Sequence, residues 1–217
     1  MIHELEKISL KEKAYRFIKS EIVIGNYIPG LFLSEKELSK SMHMSRGPIR
    51  EALNRLEKEG FVNIIPKRGT IVSHITTQEV NDIFKIRKLL ESTAAKDSLN
   101  KISFIKLKEI KREFIRLMSK SENRKNRIIF FDMDKRFHKF LYIKCGNNKL
   151  IQILDIFGDS TNWFINIFFK DYSYKESIKD HLAIIEAIEN KKEDLVVDKI
   201  IWHLERVRNS IISEIIS

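Results

Sequence analysis

The sequence predicts a mainly α-helical protein, in which an N-terminal winged helix-turn-helix with a small β-hairpin wing is followed by an all-helical bundle. Two observations predict this class. All three prolines, Pro29, Pro48 and Pro66, lie in the first third of the chain, together with two short β-patterned runs. The remainder reads as long amphipathic stretches with short breaks, which is typical of antiparallel packed helices. We therefore expect two domains, at residues 1–75 and 76–217.

Capping residues mark the elements of the first domain. Ser9 with Glu12 forms a capping box that opens the first helix, and Ser34 with Glu37 opens a short second one. A third helix begins near Ser45. The runs FVNII and TIVSHI then flank a basic turn, PKRG, which predicts a hairpin with a basic tip. Three helices followed by such a hairpin are the outline of a winged helix.

The second domain is predicted to consist of helices alone. Thr76 with Glu79 is another capping box and marks the start of the bundle. The apolar periodicity predicts six helices, at about 77–98, 102–122, 125–144, 148–169, 174–190 and 193–215. Because only a few residues connect them, neighbouring helices are expected to be antiparallel.

Composition and charge limit the class of protein. Hydrophobic residues make up 43% of the chain and charged residues 32%, which is typical of a folded, water-soluble protein. No stretch approaches the ~18 consecutive apolar residues of a membrane helix, and the single cysteine, Cys145, excludes an internal disulfide. We therefore expect a cytoplasmic protein with no membrane partner. The net charge of +10 is compatible with a polyanionic partner such as nucleic acid.

A helix-turn-helix needs a first helix that lies on the DNA backbone and a second whose N-terminal residues reach base edges. The stretch LSEKELSKSMHMSRGPIREALNRLEKEGFV supplies this arrangement. Ser45, Arg46 and Arg50 fall in the first turns of the recognition helix, where arginine can bond guanine or phosphate. Lys67 and Arg68, at the hairpin tip, are expected to reach the adjacent minor groove or backbone. The combined arrangement favours DNA contacts over the alternative of solvated charges in surface pairs.

Several motifs run through about residues 10–75: IPG at 28–30, LSEKELS at 33–39, SRGPIREAL at 45–53, LEKEGFV at 56–62 and RGTIV at 68–72. In these motifs the chain resembles the GntR family of bacterial transcription regulators. The resemblance implies DNA contacts by Lys36, Arg46 and Arg50, and by the wing at Gly69.

Three histidines, His138, His181 and His203, fall at inward positions of the predicted bundle helices. Asp134 precedes His138 by four residues, so the two side chains share one helix face, with Cβ atoms about 5–6 Å apart. One carboxylate and three imidazoles suit a divalent ion such as Zn²⁺, Ni²⁺ or Mn²⁺ and leave positions for water or ligand oxygens. Taken singly, each histidine can equally be an ordinary core residue, but the set of four favours a metal site.

The predicted bundle contains further short sequence motifs: Ile86-Arg87, Leu90-Glu91, Phe137-His138, Gly146-Asn147 with Leu150, His181 with Ile184, and His203 near its end. In these motifs residues 77–215 resemble the FCD effector domain of the FadR subfamily of GntR regulators. The six helices of the predicted bundle resemble the VanR-type branch of that subfamily. The resemblance implies that Asp134, His138, His181 and His203 are the metal ligands.

Arg87 lies on the inward side of its predicted helix, and a semi-buried arginine needs an anion. Two partners remain open at this stage. One is the carboxylate of a small organic-acid effector beside the metal, and the other is Glu91, one turn further along the same helix.

These observations predict a DNA-binding transcription regulator, a repressor, whose helical domain binds a divalent metal and a small carboxylate effector. We expect a homodimer on a palindromic double-stranded operator, because a single winged helix reads too few base pairs for useful specificity. The alternatives are a regulator for which the metal itself is the signal, and an α-helical metal-dependent hydrolase. The sequence contains no glycine-rich phosphate loop, nucleophile elbow or Cys–His pair, so we predict no enzyme.

Overall fold

The computed structural model describes residues 8–168 and 173–216. The elements of its first part are α1 (Leu10–Ile24), β1 (Phe32–Leu33), α2 (Glu35–Ser41), α3 (Arg46–Lys58), β2 (Val62–Ile65) and β3 (Gly69–Val72). Its helical part comprises α4 (Thr77–Ser98), α5 (Phe104–Met118), α6 (Arg124–Tyr142), α7 (Asn148–Phe168), α8 (Tyr174–Glu189) and α9 (Glu193–Ile216). The predicted fold class, a winged helix-turn-helix followed by a helical bundle, is confirmed.

The first three helices form where their capping residues predict them. The Ser9 and Ser34 hydroxyls accept hydrogen bonds from the third backbone N–H of α1 and α2, which satisfies donors that a helix start otherwise leaves without partners. α1 packs against α3, and α2 packs against α3 as well. Ile18, Leu53 and Leu56 are almost fully buried and belong to the core that these helices enclose.

The wing is a three-stranded antiparallel sheet in the order β1-β3-β2. β2 and β3 form the predicted hairpin, with Val62 opposite Val72 and Ile65 opposite Gly69. The structure adds β1, whose Phe32 lies opposite Ile71. The sequence does not indicate this strand, because a two-residue strand is too short to show an alternating pattern.

The helical part has the six predicted helices, with shifts of a few residues at some ends. The largest differences are in α5, which begins at Phe104 and ends at Met118, whereas 102–122 was predicted. It begins later because Leu99–Lys101 form a short 3₁₀ turn and Ser103 then caps the helix. α4 packs against α6 and α9, α5 packs against α6 and α8, and α8 packs against α9.

The chain forms two compact units. The first comprises the residues up to Ile75 together with Asn162–Ile167, and the second comprises Thr76–Thr161 and the residues from Phe168 onwards. α7 therefore contributes to both units, a feature that the sequence did not indicate. The division into functional domains at 1–75 and 76–217 stays a prediction. Among the described residues, no helix combines the length and apolar character needed to cross a membrane.

Candidate functional site

Four side chains of the second unit meet at one place in the bundle. α6 provides Asp134 and His138, one turn apart on one helix face, while α8 provides His181 and α9 provides His203. Each offers one ligand atom, and these atoms lie within 4.8 Å of one another. The three imidazoles are buried, and Asp134 is partly exposed. The structure thus brings together all four residues that the sequence predicted as metal ligands.

The ring atoms that face each other are the Nε2 nitrogens. His181 Nε2 lies 3.3 Å from His203 Nε2 and 3.3 Å from the Asp134 Oδ1 oxygen. His138 Nε2 lies 3.7 Å from the same Oδ1 oxygen. Three imidazole nitrogens and one carboxylate oxygen form a donor set that suits a borderline divalent ion. The residues present therefore fit such an ion.

The outer ring nitrogens of two of these histidines contact carboxylates. His138 Nδ1 hydrogen-bonds Glu91 Oε1, and His203 Nδ1 hydrogen-bonds Asp180 Oδ2 at 3.0 Å. A carboxylate at this position is usual for histidines that bind metals, because it fixes the ring orientation and the tautomer. His181 Nδ1 is buried and has no hydrogen-bond partner among the described residues.

Burial and neighbouring charges determine the protonation of the cluster. Burial lowers the pKa of His181 well below its usual value and also lowers the pKa of His203, although the Asp180 hydrogen bond opposes the shift at His203. Both rings are therefore neutral near pH 7, as ligands must be. Burial opposes charge on His138 too, but the Glu91 and Asp134 carboxylates together outweigh it and raise the pKa of His138. At Glu91, the charges of His138 and Arg87 overcome the opposing effect of burial and lower the pKa to about 2.

Arg87 has partners inside the protein. Its Nη2 and Nε atoms donate to Glu91 Oε2 at 2.9 and 3.2 Å, and its Nη1 atom donates to Thr161 Oγ1 at 2.9 Å. Glu91, one of the two partners left open by the sequence, is therefore paired with Arg87. Glu91 thus connects Arg87 with the candidate ligand His138.

The sequence did not indicate several contacts around this cluster: Glu91 and Asp180 as partners of the candidate ligand imidazoles, Thr161 as a partner of Arg87, and Arg206 as a partner of Asp180. A usable signal existed for two of them. Glu91 follows Arg87 by four residues and so shares its inward helix face, and Arg206 follows His203 by three. Asp180 and Thr161 meet their partners only through packing between different helices.

The predicted DNA-contact residues lie in the helix-turn-helix and the wing. Ser45 is the N-cap of α3, Arg46 is its first residue, and Arg50 follows one turn later. Arg50 forms a bidentate ion pair with Glu35 of α2, through Nε at 3.1 Å and Nη2 at 3.0 Å. Its partner is thus Glu35 and not the neighbouring Glu51. The other predicted contacts are Lys36 in α2 and Lys67, Arg68 and Gly69 at the tip of the wing. All of these residues are exposed except Gly69, which is half-buried.

The wing tip requires glycine at position 69. Gly69 has φ +112°, and an added Cβ would lie 2.5 Å from two carbons of the Phe32 ring on the neighbouring strand. Lys67, in the same turn, also has a positive φ, of 62°. The tight backbone of this turn thus presents Lys67 and Arg68 at the end of the hairpin.

Comparisons with known proteins agree with this architecture. Residues 10–72 match a family described as "Bacterial regulatory proteins, gntR family", and residues 82–206 match the FCD domain. The chain is 26% identical over 203 residues to the HTH-type transcriptional repressor RspR of Escherichia coli (strain K12), covering 93% of this chain and 89% of that protein. It is 23% identical over 200 residues to the gluconate operon transcriptional repressor of Bacillus licheniformis, covering 89% and 82%.

A solved structure shows the same fold. It is that of E. coli McbR/YncC, which matches with a TM-score of 0.81 at 18% identity and covers 95% of this chain and 98% of that one. The relatives are regulators rather than enzymes, so the hydrolase alternative is not supported. The chain therefore belongs to the GntR family of bacterial regulatory proteins, as a DNA-binding transcriptional regulator with an FCD domain.

Proposed function

We propose that this regulator holds one divalent metal ion through Asp134, His138, His181 and His203, and that a small organic acid binding beside the ion changes its affinity for a palindromic operator. One observation carries the proposal: four potential ligand atoms from three helices lie within 4.8 Å of one another in a largely buried part of the bundle. A bound ion acts as a Lewis acid that can accept a carboxylate oxygen. Zn²⁺, Ni²⁺ and Mn²⁺ all suit this donor set.

The charges around the cluster support an anionic effector. The Glu91 carboxylate is paired with Arg87, and the Asp180 carboxylate is paired with Arg206, so these charges cancel in pairs. Asp134 contacts His138 and His181, which are neutral when they ligate a metal. A divalent ion added to the single negative charge of Asp134 leaves one positive charge, which a carboxylate would neutralise.

Arg87 is the residue that we propose for the second contact with the effector. Its Nε and Nη2 atoms already share one Glu91 oxygen and its Nη1 atom contacts Thr161. The guanidinium carries five N–H donors, so these three contacts leave two of them for a carboxylate. The same internal pairing also favours the second candidate function, in which Arg87 is structural and the metal itself is the signal.

The DNA-binding arrangement that we propose is a homodimer on a two-fold symmetric site. A single recognition helix contacts few base pairs, and pairing two helices doubles the number that is read. Ser45, Arg46 and Arg50 would contact one half-site, together with Lys36 and the wing residues Lys67, Arg68 and Gly69. The names of two relatives contain the word repressor, which supports repression, and we place its action on operator DNA in the cytoplasm.

Covalent connections offer a route between the site and the winged helix. α4, which carries Arg87 and Glu91, begins five residues after β3 ends at Val72. Thr161, which contacts Arg87, directly precedes the segment of α7 that belongs to the first unit. An effector can change operator affinity only through different affinities for two conformations, typically by about 5–150-fold.

The test has two stages. Elemental analysis of protein purified without chelator is expected to find one divalent ion per chain, and His203→Ala is expected to lose it, while the exposed His74→Ala keeps it. Operator affinity is then titrated with small mono- and dicarboxylates in wild type and Arg87→Ala. Absence of metal uptake from Zn²⁺, Ni²⁺ and Mn²⁺ contradicts the metal centre. Operator affinity that responds to metal but to no carboxylate supports the metal-sensing alternative.

A further inference from the structure

Two carboxylates that are not in the ligand set, Glu91 and Asp180, are buried beside the candidate metal centre. Glu91 is fully buried and Asp180 is 7% exposed. Burying a carboxylate is unfavourable unless it is paired and hydrogen-bonded, so each needs a compensating set of partners. Both have the same two kinds of partner, a ligand imidazole and an arginine.

Glu91 divides its two oxygens between these partners. Oε1 accepts the hydrogen bond from His138 Nδ1, and Oε2 accepts both contacts from Arg87. Asp180 uses one oxygen for both: Oδ2 lies 3.0 Å from His203 Nδ1, 2.7 Å from Arg206 Nε and 2.5 Å from Arg206 Nη2. An ionised carboxylate can only accept hydrogen bonds, so in both cases Nδ1 must carry the proton. The lone pair of each ring is then on Nε2, the atom that faces the ligand cluster.

The third ligand imidazole is held in a different way. His181 Nδ1 has no hydrogen-bond partner among the described residues. Its ring lies among three phenylalanine rings, with centroid distances of 5.0 Å to Phe114, 6.1 Å to Phe130 and 4.7 Å to Phe137. Aromatic packing thus fixes the orientation of this ring without selecting a tautomer.

We infer that Glu91 and Asp180 are positioning residues of the metal centre, which hold His138 and His203 in the tautomer that ligates through Nε2, each anchored by an arginine. This inference rests on the proposed metal centre. The arginines have a defined part in it: their N–H groups keep each carboxylate directed at the outer nitrogen of its imidazole. Loss of such an outer partner typically lowers metal affinity about 10–100-fold.

Metal affinity of isosteric variants tests the inference. Glu91→Gln and Asp180→Asn keep the side-chain volume but lose the charge, and Glu205→Gln is a matched control. Glu205 lies on α9, pairs with Lys88 of α4 and contacts no histidine in the part of the chain that the structure describes. Competition for Zn²⁺ and for Ni²⁺ against a chromophoric chelator is expected to show about 10–100-fold weaker binding for the two variants. The control is expected to stay within twofold of wild type.

An NMR measurement on the wild-type protein keeps the inference testable if a variant does not fold. In long-range ¹H–¹⁵N spectra of the zinc-loaded protein, the Nδ1 protons of His138 and His203 are expected to be shifted downfield and protected from exchange. The Nδ1 proton of His181, for which the described residues offer no acceptor, is expected not to show this downfield shift. Fast-exchanging Nδ1 protons on His138 and His203 would overturn the inference.

The outcomes separate this inference from the proposed function. If wild type takes up no metal, the metal centre is wrong and the positioning role with it. If wild type binds metal and both folded variants bind it equally well, only the positioning role is wrong. Equal weakening in Glu205→Gln would also overturn it, because the effect would then follow from any lost carboxylate near α4 and α9.

Discussion

Replacement of Arg50 by alanine is expected to weaken operator binding strongly while leaving the fold intact. Arg50 is exposed and lies one turn into α3, the recognition helix. In the absence of DNA it is held by Glu35 through Nε and Nη2, so its Nη1 group is not engaged in that contact. An exposed pair of this kind contributes little to stability, because solvent screens it. The loss should therefore appear in binding and not in unfolding.

The structure also predicts how a second variant, Glu35→Gln, changes operator affinity relative to Arg50→Ala. Loss of a base or phosphate contact by arginine typically weakens binding about 5- to 150-fold, and we expect this range for Arg50→Ala. Glu35→Gln removes the carboxylate that holds the guanidinium and a negative charge close to the DNA-binding helix. DNA then no longer competes with Glu35 for the Arg50 guanidinium. This variant is therefore expected to bind the operator more tightly than wild type.

Fluorescence anisotropy with a labelled operator and a scrambled duplex, at several salt concentrations, measures both effects. If Arg50 contacts phosphate, Arg50→Ala lowers the salt slope by about 1 and weakens both duplexes, whereas a base contact reduces the preference for the operator. Lys11→Ala is the control, since Lys11 is an exposed cation of α1 and is not one of the predicted DNA contacts. Affinity of Arg50→Ala within twofold of wild type, or weaker binding by Glu35→Gln, would refute this reasoning.

Two further predictions concern the stability of the winged helix, measured by urea unfolding. Gly69→Ala is expected to cost about 1–3 kcal/mol, because residue 69 has a φ of +112°. At Gly47 an added Cβ meets nothing within 4 Å, so Gly47→Ala is expected to stabilise the fold by about 0.4–1 kcal/mol. Equal effects of Gly69→Ala and Gly47→Ala would contradict the argument from the positive φ of residue 69. Glu59→Ala removes the carboxylate 2.9 Å from the buried Lys19 ammonium and is expected to cost about 3–5 kcal/mol. The exposed Glu51→Ala should cost less than about 1 kcal/mol, and a similar cost at both sites would argue against a buried pair.

The sequence predicted those parts of the fold that depend on local interactions. Ser9, Ser34 and Thr76 were predicted as N-caps from the residues that follow them, and each accepts the expected backbone hydrogen bond. Helical periodicity likewise placed Asp134 and His138 on one face of α6. These signals are contained within a few residues of the chain, so they can be detected without knowledge of the tertiary structure.

The parts that the sequence did not predict depend on contacts between distant segments. β1 exists because Phe32 and Leu33 pair with β3, nearly forty residues away. Asp180 meets His203 from a neighbouring helix, and nothing in the residues around either one indicates which ring nitrogen is contacted. Such partners are selected by helix packing, for which periodicity gives the inward face but not the register.

The internal pairing of Arg87 changes how an effector experiment must be interpreted. If Arg87→Ala abolishes a response to carboxylates, this does not by itself assign Arg87 to effector binding. The substitution also leaves Glu91 buried without its arginine and removes a hydrogen bond from Thr161. A displaced Glu91 would disturb His138, so metal affinity would fall together with the effector response. A direct contact with the effector instead requires that Arg87→Ala lose the response to carboxylates even when the variant is saturated with metal, because the loss then does not come from an empty metal centre.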